Sequence, residues 1–368
     1  MPVRERVVLA KTHGKRIGGN LASIRAELDR RQPPIAVVTL AQGVSRGFGG
    51  SLRAAGDAVV AGYHLATARV FVVDSHFFPM YVIRPRSGTV RYQTWHATGA
   101  IKKIGYSLID KPFGADESVM HAVRVHSNYT RCLASSKAAA EQFVEAFRQP
   151  IERFDTHIGI PRTDVLFDLD RAAALQRSIR ERYRLPAGRR VILYAPTFRG
   201  DSLLDATYEQ GLDFALLQRV LGEDHVVLAR LHPAIRSPLL VDPTLDGFVI
   251  DVSDYPEFNE LMLVADVLVT DYSSAVFEFA LLKRPVAFFA PDRAAYERDR
   301  GLYLDLDTDL PAPVFETTED LAAYLRAAQF DLDAVARFAA TWIELADGHA
   351  SQRFVDQLII PALSRAAR

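Results

Sequence analysis

Short apolar, β-branched runs alternate along this chain with longer amphipathic stretches, and polar turns separate them. Residues 6–10, 35–40 and 70–73 read as strands, with a helix over about 21–31 that Pro33-Pro34 breaks. Residues 50–55 read as a short connecting or helical piece, 90–95 as an apolar, aromatic strand, and 137–147 as a helix capped from the segment ending in Ser135-Ser136. Beyond a Gly/Pro turn at Gly159 and Pro161, strands are expected at 191–194, 226–231, 248–251 and 267–270. Helices are expected at 261–265 and 275–282. This βαβ rhythm predicts an α/β fold of two Rossmann-like, doubly wound parallel sheets. The expected division is a first domain over 1–160, a second over 161–349, and a closing helix in 350–368. That helix is long enough to cross back to the first domain, with Pro361 kinking or breaking it.

Three of the predicted strands end in polar segments that suit a ligand: Thr197 and Arg199 after the 191–194 run, Arg230 and His232 after 226–231, and Thr270-Asp271-Tyr272-Ser273-Ser274 after 267–270. Ligands bind at that edge of an open α/β sheet. Asp or Ser at the last junction would cap the following helix, whose free N–H groups suit a phosphate. An isolated cap would look the same. In the first half the 90–95 strand leads to His96 in a small-residue loop followed by Lys102 and Lys103. Placed against lysines, His96 would be held neutral, the form a general base needs. The loop after the first strand is glycine-rich, without GxGxxG. Its His13, Lys15 and Arg16 suit an anionic acceptor, or simply a flexible basic loop.

Composition narrows the class. The 368 residues are 49% hydrophobic and 24% charged, ordinary for a globular chain, and the single Cys132 excludes an intrachain disulfide. No apolar run has the length of a membrane span, and the first residues lack a signal-peptide core, so a cytoplasmic or peripheral protein is expected. Charge is asymmetric. Residues 1–150 carry 21 Lys and Arg against 10 Asp and Glu, and the remainder 23 against 35. A basic half without interleaved aromatics favours an anionic membrane surface over nucleic acid.

The motifs WHATGAIKKIG, GIPRTD, YAPTFRGD, RLHP, TDYSS and RGLY, in this order over about residues 5–310, resemble the CDP-glycerol glycerophosphotransferase family of teichoic acid primases, polymerases and capsule enzymes. The resemblance implies a GT-B fold with the acceptor on the first domain and a CDP-linked donor on the second. It also implies a membrane-associated enzyme on the inner face of the cell membrane, without a metal-binding DxD element and with no cofactor. The implied reaction moves glycerol or ribitol phosphate from CDP-glycerol or CDP-ribitol to a lipid-linked saccharide or polyol-phosphate acceptor. Carried over, His96 is the base. His232 contacts the donor pyrophosphate, Thr197, Arg199, Arg230, Thr270, Asp271, Ser273, Ser274 and Arg300 surround it, and Glu278 accepts from a ribose hydroxyl. His13, Lys15, Arg16, Lys102 and Lys103 would face the acceptor. Charge on the transferred group would be met by helix N-termini, arginine and protonated histidine. Ala97-Thr98-Gly99-Ala100 departs from the commoner Gly-Thr-Pro-Leu, which bears on acceptor choice. In the absence of a large extra domain, a compact primase is expected. A nucleotide-sugar glycosyltransferase and a non-catalytic binder of CDP compounds or envelope lipids are the alternatives.

Overall fold

The computed structural model describes residues 1–364 apart from 13, 15, 44–46, 115, 201–204 and 210, and apart from the side chains at 47–49 and 51. Six strands of the first half, β1 (Arg4–Thr12), β2 (Val37–Gln42), β3 (Ala68–Val73), β4 (Val90–Gln93), β5 (Arg131–Leu133) and β6 (Phe154–Asp155), form a parallel sheet in the order β2-β1-β3-β4-β5-β6. Six of the second, β7 (Arg190–Ala195), β8 (His225–Ala229), β9 (Val249–Asp251), β10 (Val267–Thr270), β11 (Val286–Phe289) and β12 (Val314–Phe315), form another in the order β12-β11-β10-β7-β8-β9. The central strands β3, β7 and β10 are apolar without alternation because helices cover both faces.

Strand order reverses between β1 and β3 in one sheet and between β7 and β10 in the other, opening a crevice at the carboxyl ends of each pair. Register levels those ends: Ala195 pairs with Thr270, Tyr194 with Ala229, and Val73 with both Ala10 and Gln93. Loops leaving neighbouring strands therefore start at one height. Chemistry-bearing residues collect there.

One apolar cluster runs through both halves, joining Phe71, Trp95 and Phe143 to Leu193, Phe277 and Phe338. The helix Leu332–Trp342 lies across this seam, where the Ser135 hydroxyl donates to the Trp342 carbonyl at 2.7 Å. A second tie is backbone only. Lys103 N–H donates to Gly301 O at 3.0 Å and Tyr303 N–H to Ile101 O at 2.7 Å. Gly99 explains the small-residue loop, because a Cβ there would stand 2.7 Å from the Phe277 ring of the other half.

The closing helix does return to the first sheet, burying Phe354, Val355 and Ile359 against Val7, Leu9 and Leu21. Pro361 does not break it. The turns widen to π geometry over Phe354–Ile359, and helix continues over Ile360–Ser364. The 50–55 expectation falls short, since that segment belongs to the long helix Gly47–Thr67. Among the described residues no helix is long and apolar enough to cross a membrane.

Candidate active site

His96 stands three residues beyond β4, and its placement is enforced by strain and by polar ties. Trp95 holds a left-handed backbone, φ 53°, which a bulky residue adopts only when its surroundings demand it. Asn20 supplies part of that demand, donating through Nδ2 to the carbonyls of Thr94 (3.2 Å) and Trp95 (2.9 Å). Arg162 Nη1 donates to the His96 carbonyl at 2.7 Å. The imidazole Nδ1 lies 3.0 Å from the Asp74 carbonyl at the end of β3. A carbonyl only accepts, so Nδ1 carries the proton and Nε2 is left as a bare lone pair.

Crowding by protein, then the neighbouring His76, Arg162 and Lys11, pushes the His96 pKa down to about 4. The ring remains accessible from the cleft and is neutral at pH 7. The expected cause was different: Lys102 and Lys103 do not produce this shift.

His232, three residues beyond β8, has the opposite tautomer. Ala234 N–H donates to its Nδ1 at 3.1 Å, so the proton sits on Nε2. Burial, followed by Lys102, His96, Arg230 and Arg300, lowers its pKa to about 3. The sequence-based expectation of a protonated histidine at this place is therefore corrected. A second proton would have to enter Nδ1, where a backbone N–H already points. His232 is a neutral donor.

Around it gather an aromatic ring and cations. Phe198 lies 4.9 Å from the His232 ring, Lys102 Nζ stands 5.7 Å from the Phe198 centroid, and Arg300 Cζ is 4.7 Å from Phe198 and 3.5 Å from Phe113. Lys102, expected on the acceptor side, reaches this pocket because its loop pairs with residues 301–303 of the other half. Lys103 follows the same strap, its side chain beside Gly301. Arg300 donates to the Gly200 carbonyl at 2.9 Å, and Arg230 to the Leu231 carbonyl at 2.8 Å.

Other expected donor contacts turn inward. Asp271 does not cap the next helix. Its carboxylate accepts from Thr197 N–H and hydroxyl, both at 2.9 Å, and from Arg199 Nη1 at 3.1 Å. Arg199 also forks onto Asp292 at 2.6 and 3.0 Å, and these carboxylates outweigh burial to hold its pKa above the ordinary value. Its guanidinium is fully engaged, as is the Thr270 hydroxyl, which donates to Ala195 O at 2.7 Å. Ser273 and Ser274 stay half-buried at the turn, Ser273 Oγ accepting from Ala275 N–H at 3.3 Å. The helix that follows is short, Ala275–Phe279, and tightens over Ala280–Leu282.

Glu278 is the clearest departure. Only 1% exposed, it accepts from Thr98 Oγ1 at 2.6 Å and pairs through Oε2 with Arg162 Nη2 at 3.0 Å, so both oxygens join the halves rather than opening to a ribose. Arg162 also reaches Asn259 Oδ1 at 2.9 Å, and its own N–H donates to Asn20 Oδ1 at 2.9 Å. His13 and Lys15 lie outside the described residues. Arg16 is exposed.

The family described as CDP-Glycerol:Poly(glycerophosphate) glycerophosphotransferase matches residues 2–360. The chain belongs to this family. It is 33% identical to a teichoic acid ribitol-phosphate primase of Bacillus spizizenii (strain ATCC 23059 / NRRL B-14472 / W23), over 97% of this chain and 91% of that one. A teichoic acid poly(ribitol-phosphate) polymerase of the same strain is 35% identical over 81% of this chain, which spans about half (48%) of that relative. Solved structures of the wall teichoic acid polymerase TagF superpose with a TM-score of 0.78 at 27% identity, covering 98% of this chain and 90% of that one; one carries a substituted histidine and was soaked with CDPG. A UDP-GlcNAc 2-epimerase from Neisseria meningitidis shares the fold alone, with a TM-score of 0.59 at 12% identity over 96% of this chain and 100% of that one. The chain is thus a phosphotransferase of this family with a GT-B-like, two-sheet α/β architecture.

Proposed function

We propose that this enzyme transfers glycerol or ribitol phosphate from CDP-glycerol or CDP-ribitol to a hydroxyl of a lipid-linked saccharide or polyol-phosphate acceptor. The observation that carries it is the opposed protonation of two histidines that follow β4 of one sheet and β8 of the other: a bare Nε2 on His96 and an Nε2–H on His232. In this reading His96 Nε2 takes the acceptor hydroxyl proton as that oxygen attacks the β-phosphorus. The bond from the β-phosphorus to the bridging oxygen breaks, and CMP leaves with that oxygen. His232 donates to the departing phosphate, and Lys102 and Arg300 balance its charge. The proposal keeps the expected division into an acceptor domain over 1–160 and a donor domain over 161–349.

Single addition, as by a primase, is supported by the primase relative matched over nearly its whole length. Membrane attachment is supported by exposed Leu52, Val59, Phe78, Val82 and Val119, on first-half helices flanked by exposed Arg53, Arg84 and Arg124. Sedimentation with anionic vesicles at low and high salt tests this, and no binding at either removes it.

The reaction is tested by nucleotide release from CDP-glycerol, CDP-ribitol, UDP-glucose and UDP-N-acetylglucosamine with a short lipid-linked disaccharide. Acceptor-dependent CMP release that falls about 10²- to 10⁴-fold in His96→Ala is expected. UDP release would point to the glycosyltransferase instead, and a ladder of products would replace single addition by polymerisation.

A further inference from the structure

A cavity of about 590 Å³ opens in front of His96, between the helix Gly19–Asp29 of the first half and the segment 256–260 of the second. Its strongest anion-attracting feature is already filled. Gly19 N–H at the helix start donates to Glu257 Oε2 at 3.1 Å, and a Cβ on Gly18 would stand 2.9 Å from Glu257 Oε1. Of the arginines that line the cavity, Arg30 pairs with Glu27, Arg162 with Glu278 and Arg171 with Glu260, while Arg230 donates to the Leu231 carbonyl.

Four of the residues lining the cavity carry a buried polar atom without a hydrogen-bond partner, at Arg162 Nε, Arg230 Nε, Ser351 Oγ and Asp74 Oδ1, and of these Asp74 Oδ1 alone is purely an acceptor. Asp74, at the end of β3, is 3% exposed, and its Oδ1 has no hydrogen-bond partner among the described residues. Lys11 Nζ stays 4.0 Å from Oδ2, beyond hydrogen-bond reach. An unsatisfied carboxylate oxygen is costly to bury, and a donor supplied by a ligand removes the cost. Asp74 is not the orienting acid of a His–Asp pair, since His96 Nδ1 donates to the Asp74 carbonyl rather than to its carboxylate. Asp74 is among the residues that line the cavity.

We propose that this cavity binds an uncharged polyhydroxyl portion of the acceptor, and that Asp74 accepts a hydrogen bond from the hydroxyl vicinal to the one that attacks. A vicinal diol places one hydroxyl at the base and the next within reach of a neighbouring carboxylate. A cavity lined by more carboxylates than cations, and whose helix end is plugged, favours hydroxyls over phosphate. Burial as the chief influence, offset by Lys11, Ser75 and Arg162, raises the Asp74 pKa to about 6, so it is an acceptor at neutral pH. This inference rests on the phosphotransfer reading above.

The test uses the full chain, CDP-glycerol or CDP-ribitol, whichever the wild type turns over, and a short lipid-linked disaccharide. A second acceptor lacks the hydroxyl next to the position esterified in the wild-type product. For the parent acceptor, Asp74→Asn is expected to lower kcat/KM by about tenfold and Asp74→Ala by about 10- to 100-fold, mainly through KM. With the deoxy acceptor, both variants should match the wild type. Donor affinity by calorimetry should be unchanged, and the isosteric Asp74→Asn should not lower the melting temperature. The same fractional loss with both acceptors, or no loss with either, overturns the proposal while leaving the reaction intact. Wild-type silence with every acceptor overturns the reaction and this inference with it.

Discussion

Glu278→Gln is expected to slow acceptor-dependent CMP release about 10- to 100-fold while leaving the Kd of the CDP-polyol within about twofold. The substitution keeps an oxygen for Thr98 Oγ1, 2.6 Å away, but removes the charge facing Arg162 Nη2 at 3.0 Å. Breaking a buried pair by removing one member costs about 3–5 kcal/mol. Arg162 keeps 17% side-chain exposure and its bonds to His96 O and Asn259, so the loss here should fall nearer about 2–3 kcal/mol. That loss loosens the Arg162 tie to the His96 carbonyl, and a misplaced base forfeits part of its usual 10²–10⁴-fold contribution. Calorimetry with the donor and steady-state CMP release, run together with urea unfolding, separate the effects. A tenfold weaker donor Kd with kcat unchanged would refute the reasoning and return Glu278 to the ribose.

Three further outcomes are expected. His96 works as a base only when neutral, and its pKa is held below the ordinary histidine value, so kcat/KM for the donor at saturating acceptor should stay flat from pH 8 through 6.5 and fall only at more acid pH; a His96-dependent limb at or above 6.5 would contradict the placement. Gly99→Ala would set a Cβ 2.7 Å from Phe277 and should cost about 1–3 kcal/mol in urea unfolding, with Phe277→Leu lessening the increment; an unchanged midpoint would mean the two halves yield freely. Fully buried His126 stacks on Phe147 at 3.8 Å, and burial holds its pKa well below 6.5. The unfolded chain then takes a proton that the folded one refuses, so stability should fall by up to about 1.4 kcal/mol for each pH unit below 6.5. Urea midpoints at pH 7.5 and 5.5 should converge for His126→Gln relative to the wild type, and equal pH dependence would argue against a neutral buried ring.

Much of the architecture is legible because β3, β7 and β10 are buried on both faces and so write themselves as unbroken apolar runs. His232 and Ser273 are legible for the same reason, since each follows an apolar run and interrupts it with polarity, whereas His96 follows the mixed strand Val90–Gln93 and stands out through the small-residue loop and lysines after it. What is illegible is short or remote. β6 and β12 have two residues each and take their strand geometry from neighbours. Glycines at 50, 56 and 62 hide most of the helix Gly47–Thr67. Asn20 and Asn259 have no local pattern, since their partners lie 74 or more positions away, and Asp292 meets Arg199 from 93 positions away and Tyr272 from 20. Arg162 lay within the quoted GIPRTD motif, so a signal existed. Spacing alone does not say which way a guanidinium turns, and so does not separate Arg162, which ties the His96 loop, from Arg199, which Asp271 and Asp292 consume.

In the transfer proposed above, the fixed tautomers of His96 and His232 would also set the proton inventory of a turnover. His96 can receive a proton at Nε2, whereas His232 has no free lone pair to receive one and must keep its own to go on donating. No proton therefore passes from base to leaving group inside the cleft. CMP departs as a dianion, the new phosphodiester carries one negative charge, and the hydroxyl proton must leave His96 for cleft water before the next round. Above the second ionisation of CMP, each bond formed liberates one acid equivalent, so the equilibrium of the proposed transfer shifts toward product as the surroundings become more alkaline.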